Sequence, residues 1–192
     1  LDPDKNKDQN NKKFKSWQHR RDLSIFYFLY SSGLRISEVL QFKMRDFPLK
    51  EFTKIKGKGD KERFIVVLDI VNEKIKNYLD DYRNFFDGID ILDEDPLFIK
   101  SIKGKKKSLS ARDIQRTMKS HIENFEGNYP IFSTPHSLRH SFASHILRGG
   151  ADIRTIQELL GHSSLTSTQI YTKLDEKSLL DIYDKSHPHS KG

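Results

Sequence analysis

Residues 134–147, TPHSLRHSFASHIL, concentrate side chains that can bind anions, move protons or hold a metal. His136 and His140 stand four apart and so share one helix face, the spacing of a zinc-binding pair. A zinc protease also needs a Glu directly after the first His to serve as general base. Ser137 and Leu138 occupy the interior positions here, which leaves that pattern incomplete. His140 and His145 are assigned to packing or to supporting a neighbour, because a helix histidine without further donors is seldom a ligand. His136, and Arg139 one turn later, must therefore act together with residues from elsewhere in the chain.

The charge balance narrows the partner. Lys and Arg total 34 against 27 Asp and Glu, a formal charge of +7, which favours a polyanion over an acidic-site ligand. The distribution is uneven: Lys100 to Ser120 carries eight basic residues against Asp113, and Asp80 to Asp95 carries seven acids against Arg83, so one face should be strongly positive. With 192 residues and 35% hydrophobic content, one domain is the simpler expectation. The lack of cysteine excludes disulfides and thiolate metal sites. No apolar run nears the roughly 20 residues of a membrane span and no secretory signal opens the chain, so a soluble cytoplasmic protein is expected. Leu1 in place of an initiator Met reads as a piece cut from a longer protein.

The elements that must position these residues follow from pattern. Residues 1–16 are polar and lysine-rich and read as a linker or arm. From Trp17 to Ser32 the chain becomes apolar on nearly every side, as in a central buried helix, and Gly33 ends it. Ser37 is a cap for a helix around Glu38 to Lys43. Phe52 to Lys56 and Arg63 to Leu68 read as strands joined by the GKGDKE turn. Val71, Ile75, Tyr78, Tyr82 and Phe85 form one stripe of an amphipathic helix, and Tyr27 and Tyr30 also read as core. Ser110 opens a basic helix with Ala111, Ile114 and Met118 inward. Leu138, Phe142 and Ile146 anchor the helix of the opening motif, stopped by Gly149 and Gly150; Asp152 caps the next, stopped by Gly161. Short helices around 168–173 and 177–183 and a polar tail, 187–192, complete a mainly α chain with a small antiparallel sheet.

Five segments then fall into one pattern: SSGLRISEVL, KGKGDKER, TPHSLRHSFASHIL, LLGHSS and TSTQIYT. Together they resemble the catalytic domain of tyrosine site-specific recombinases, the phage integrase family, on its Xer-like branch. The resemblance spans Trp17 to Tyr183, with a catalytic domain over 17–186, and implies a mainly α fold with a small three-stranded antiparallel β-sheet. An amino-terminal core-binding domain that clamps DNA is expected of the family and is absent from this stretch. Val66 stands where relatives often have proline and Lys173 where a histidine is common; neither change removes a chemical group.

Attack on a DNA phosphodiester piles negative charge on the non-bridging oxygens, and guanidiniums offer paired donors that match phosphate. The resemblance gives Arg35 and Arg139 that role, Glu38 an orienting role beside Arg35, and Tyr171 the nucleophile's role through a 3′-phosphotyrosyl link. Such an exchange keeps the bond energy in the protein–DNA link and implies no cofactor and no metal. His136 serves as base or phosphate hydrogen-bond donor, and His162 donates to a non-bridging oxygen. The resemblance gives Lys58, between Gly57 and Gly59, the role of general acid for the leaving 5′ oxygen, with Lys56 and Lys61 as rivals. Lys105, Lys107, Arg112, Arg116 and Lys119, within a basic run beginning at Lys103, are expected on phosphates, and Gln115 on a base edge. The implied partner is a double-stranded recombination site held by a homo- or hetero-tetramer, with Leu179, Leu180, Ile182 and Tyr183 on a terminal helix exchanged between protomers. Chromosome dimer resolution, phage integration and transposition all use these residues. A non-catalytic DNA-binding accessory module and a type IB topoisomerase are the competing readings.

Overall fold

The computed structural model describes residues 3–60, 62–86, 90–102, 105–123 and 134–161, with side chains from Trp17 onward except at 58, 121–123 and 158. Helix α1 (Pro3–Ser32) is the central element and packs against both α3 (Asp69–Phe85) and α5 (Pro135–Arg148). Its second half buries Ile25, Phe28 and Leu29 completely, as the all-round apolar pattern requires. Trp17 meets the α3 stripe, with its ring edge-on to Tyr82 at 5.2 Å and near Tyr78 and Phe85. Val71, Ile75, Tyr78 and Tyr82 are buried and Phe85 packs at the margin of the same core, so the periodicity read from the sequence holds. Tyr27 and Tyr30 are only half-buried, and the ammonium of Lys74 sits over the Tyr27 ring.

The backbone of residues 3–16, read from composition as a linker or arm, is helical and continues α1. Lys, Asn, Gln and Asp cost little in a helix already nucleated by a packed half, because each added residue then closes one hydrogen bond. The sheet differs from expectation. Strand β1 (Phe52–Lys56) pairs antiparallel with β2 (Glu62–Val66), and β3 (Ile99–Ile102) pairs separately with β4 (Lys105–Ser108), giving two two-stranded sheets among the described residues instead of one of three strands. The segment leading into β3 is held by side chains. Tyr78 Oη donates to the Leu97 carbonyl and accepts from the Ile99 amide, and Arg21 Nη1 donates to the Ile99 carbonyl at 2.9 Å. Those backbone groups are therefore engaged by α1 and α3.

Helix α2 (Ile36–Val39) starts one residue before Ser37 and is shorter than expected. Its amino end is held by Glu38, whose carboxylate accepts from the Arg35 amide at 2.7 Å, so the exposed Ser37 is not the cap. Helix α4 (Ala111–Glu123) turns Ile114 and Met118 inward, with Ala111 half-buried, and leaves Arg112, Gln115, Arg116 and Lys119 exposed, as its pattern requires. In α5, Thr134 caps the amino end by accepting from the Ser137 amide, and Leu138, Phe142 and Ile146 face inward. Helix α6 (Ile153–Leu159) starts at Asp152, which accepts from the Thr155 amide at 2.9 Å, and closes at Gly161. Phe142, Ile146, Ile156, Leu159 and Leu160 pack with Val66 of β2 into a second buried cluster. The helices expected at 168–173 and 177–183 lie outside the described residues.

Gly33 joins α1 to α2 with φ +59°, and a Cβ there would stand 2.4 Å from Phe142 Cδ1. Gly150 has φ +96° but open space around it. Gly33→Ala is therefore expected to cost about 2–4 kcal/mol of unfolding free energy and Gly150→Ala about 1 kcal/mol, read by urea denaturation. Equal costs at the two positions would show that the approach of Phe142 to Gly33 is not a packing constraint.

Candidate functional site

The break at Gly33 lets the chain leave α1 and turn at once into α2, which places Arg35 and Glu38 beside the start of the α5–α6 layer. Arg139 projects from α5 back to this turn. Its Nη1 donates to the Gly33 carbonyl at 2.7 Å and its Nη2 donates to the Leu160 carbonyl at the end of α6. Arg35 Nη1 donates to Glu38 Oε1 at 3.1 Å, with 37% of the Arg35 side chain still exposed. The two guanidiniums, separated by about a hundred residues of sequence, thus belong to one cluster.

Glu38 sits at the middle of it. An acid on a short exposed helix would ordinarily face solvent, yet Glu38 is 3% exposed. Its two oxygens receive Arg63 Nη1 and Nη2 at 2.7 and 2.8 Å, a bidentate fork from β2. Arg63 Nε donates to the Leu159 carbonyl at 3.1 Å. Arg63 was not among the residues read from the sequence, although a signal existed. In β2, Glu62 and Phe64 point out while Arg63 and Ile65 point in, so the period of two already placed an arginine on the buried face. A buried arginine must find acceptors inside the protein, a carboxylate being the strongest of them.

The electrostatics favour an anion. Burial would push the Glu38 carboxyl up, but the Arg63 hydrogen bonds and charge, joined by Arg35, outweigh it and hold the carboxyl below the usual range. Arg139 is pushed down to about 10, first by burial and then by repulsion from Arg35 and Arg63, with Glu38 opposing. It stays cationic at neutral pH, in a cluster where arginines outnumber carboxylates. A bound phosphate would relieve that repulsion.

The other expected residues are placed unevenly. His136 is exposed on the first turn of α5, one turn before Arg139 on the same face, with Nε2 3.1 Å from Nε2 of His140. His145 shares a 2.5 Å hydrogen bond with the Tyr30 hydroxyl, a packing role. Lys58 opens the 58–60 turn between β1 and β2, where Gly59 has φ +76°; its side chain lies outside the described residues. His162 and Tyr171 also lie outside them, His162 directly after Gly161. On the basic run, Lys105, Lys107, Arg112, Gln115, Arg116 and Lys119 are exposed. Lys106 instead binds Asp95, and Lys100 binds Asp113 at 2.5 Å, so acids thin the positive face more than the sequence suggested; Lys103 is outside the described residues.

With this geometry in view, relatives are informative. Residues 6–178 match the model of the phage integrase family. The chain is 45% identical over 174 residues to the tyrosine recombinase XerC of Thermodesulfovibrio yellowstonii, covering 90% of this chain and 56% of that protein. It is 43% identical over 175 residues to XerC of Agrobacterium fabrum, covering 91% and 52%. Among solved structures, XerA recombinase matches with a TM-score of 0.59 and 29% identity over 98% of this chain and 65% of the other. The XerH site-specific recombinase bound to difH substrate in a pre-cleavage complex matches at 0.56 and 28%, over 85% and 48%. This chain belongs to the phage integrase family and has its mainly helical fold with small antiparallel sheets. The curated relatives named here are tyrosine recombinases XerC, and the chain spans about half their length.

The depressed Glu38 carboxyl sets a pH dependence. Its folded value lies below the unfolded one, so its stabilisation is present above about pH 4.5 and is lost as the pH falls through the folded value. The stability advantage of the wild type over Glu38→Gln is expected to be full at pH 6–7 and to shrink steadily in acid, as followed by chemical denaturation at several pH values. A gap that stays constant to about pH 3 would mean that Arg63 does not hold the ionised form.

Proposed function

We propose that this chain is the catalytic domain of an Xer-type site-specific DNA recombinase, and that the full protein resolves chromosome dimers in the cytoplasm. Membership of the phage integrase family and the XerC relatives support this reading. The observation that carries it is the meeting of Arg35 and Arg139 at the Gly33 turn around a buried Glu38.

The phenol oxygen of Tyr171 attacks phosphorus at the cleavage site. A new P–O bond forms to the tyrosine, the bond to the 5′ oxygen breaks, and the 3′ end stays on the protein. His136 takes the phenolic proton or donates to the phosphate, and Lys58 protonates the leaving 5′ oxygen. Arg35 and Arg139, with His162, meet the charge on the non-bridging oxygens. The freed 5′-hydroxyl of a second strand then reverses the step, so neither a nucleotide nor a metal is consumed. Lys105, Lys107, Arg112, Arg116 and Lys119 neutralise backbone phosphates and Gln115 approaches a base edge. The working assembly is a tetramer on two sites, linked by exchange of the terminal helix around Leu179 and Ile182.

A nicked suicide duplex, from which the freed strand diffuses away, tests this with the full-length protein. A covalent protein–DNA adduct is expected, abolished by Tyr171→Phe and reduced about 100-fold or more by Arg139→Ala, while duplex binding by Tyr171→Phe persists. An undiminished adduct in Tyr171→Phe removes the nucleophile assignment. Tight binding with no adduct from the wild type would favour an accessory module.

A further inference from the structure

Resting on the recombinase reading, we infer that Arg63 is a positioning residue for the phosphate clamp, fixing Arg35 on one side and the Leu159–Gly161 turn beside Arg139 on the other. It does not touch DNA. The side chain is 4% exposed, both Nη atoms are on Glu38, and Nε is on the Leu159 carbonyl. Its three nitrogens are thus engaged inside the protein.

What Arg63 holds is the orientation of Glu38. Each carboxylate oxygen accepts once from Arg63 and once from Arg35: Oε1 from the Arg35 guanidinium, Oε2 from the Arg35 amide. A carboxylate gripped by a planar fork cannot rotate, so the backbone and the head group of Arg35 are both fixed by a residue on another element. The second contact reaches the other end of the site. Leu159 and Leu160 present consecutive carbonyls at the end of α6, one to Arg63 and the other to Arg139. The following turn lies directly on Arg63: a Cβ on Gly161, at φ +66°, would stand 3.1 Å from Nη1 and 3.2 Å from Cδ. The next residue is His162. One buried guanidinium therefore ties β2 to α2 and to the turn that closes α6, as preorganisation of charge requires. A lysine keeps the charge but has a single nitrogen and cannot span both carboxylate oxygens and the Leu159 carbonyl.

A merely structural pair and a positioning pair respond differently to the charge on the DNA. Full-length wild type and Arg63→Lys are compared on nicked duplexes with either the natural phosphodiester or a single methylphosphonate at the cleavage position. Replacing a non-bridging oxygen by methyl removes the charge that the clamp must meet. Arg63→Lys is expected to slow adduct formation about 100-fold on the phosphodiester and less than about 5-fold on the methylphosphonate, each relative to wild type. A double variant, Glu38→Met with Arg63→Met, leaves no lone buried charge and is expected to show the same selectivity even if Arg63→Lys folds poorly. Equal slowing on both substrates, or none on the phosphodiester, overturns the inference and leaves the recombinase reading intact. A wild type that forms no adduct on either duplex overturns the recombinase reading itself, and this inference with it.

Discussion

The buried fork between Arg63 and Glu38 is the interaction on which the candidate site depends. Taking two charges out of water costs several kcal/mol per ion, and such a pair holds only when geometry is good and the remaining lone pairs are used. Both conditions are met, since Arg35 takes up the rest of the carboxylate and Leu159 takes Nε. Apolar residues of similar volume could stabilise the fold as well. What they could not do is orient Arg35, and that is the physical reason for an ion pair in this place.

The scaffold around the fork consists of elements that stop abruptly. Helix α1 ends at a glycine whose missing side chain admits Phe142, and this close approach brings the Gly33 carbonyl within reach of Arg139. Helix α6 ends at another glycine pressed on Arg63. Each stop aims backbone carbonyls at an arginine, so the cationic groups are held by neutral acceptors rather than by further carboxylates. Positive charge therefore remains in excess, and repulsion from Arg35 and Arg63 adds to burial in lowering Arg139. An anion placed among these arginines would meet that excess charge.

Much of this was legible in the sequence because it is local. The α3 stripe, the inward residues of α4 and α5, the Asp152 cap and the stops at Gly33 and Gly161 each follow from spacing or from a backbone conformation only glycine adopts easily. What was missed depends on distant partners. The strand period turns Arg63 inward, but its partner Glu38 lies 25 residues away and is seen only in the fold. The split sheet was hidden for a similar reason, since Tyr78 and Arg21 take the backbone groups beside β3 from other elements. The helical state of residues 3–16 escaped composition because a polar segment can extend a helix that its neighbour has already nucleated. Within the basic run, Lys106 pairs with Asp95 and Lys100 with Asp113, pairings that a count of charges along the chain does not reveal.

The central claim is that one phosphate is gripped from two sides by arginines that Glu38 and the Gly33 turn bring together. The most direct test is a crystal structure of the full-length protein on its nicked site with vanadate in place of the phosphate at the cleavage position. The account predicts guanidinium nitrogens of both Arg35 and Arg139 within about 3 Å of the equatorial oxygens of that one group, with Glu38 still forked by Arg63. Arginines resting on different phosphates, or an Arg35 turned away with the fork broken, would contradict it.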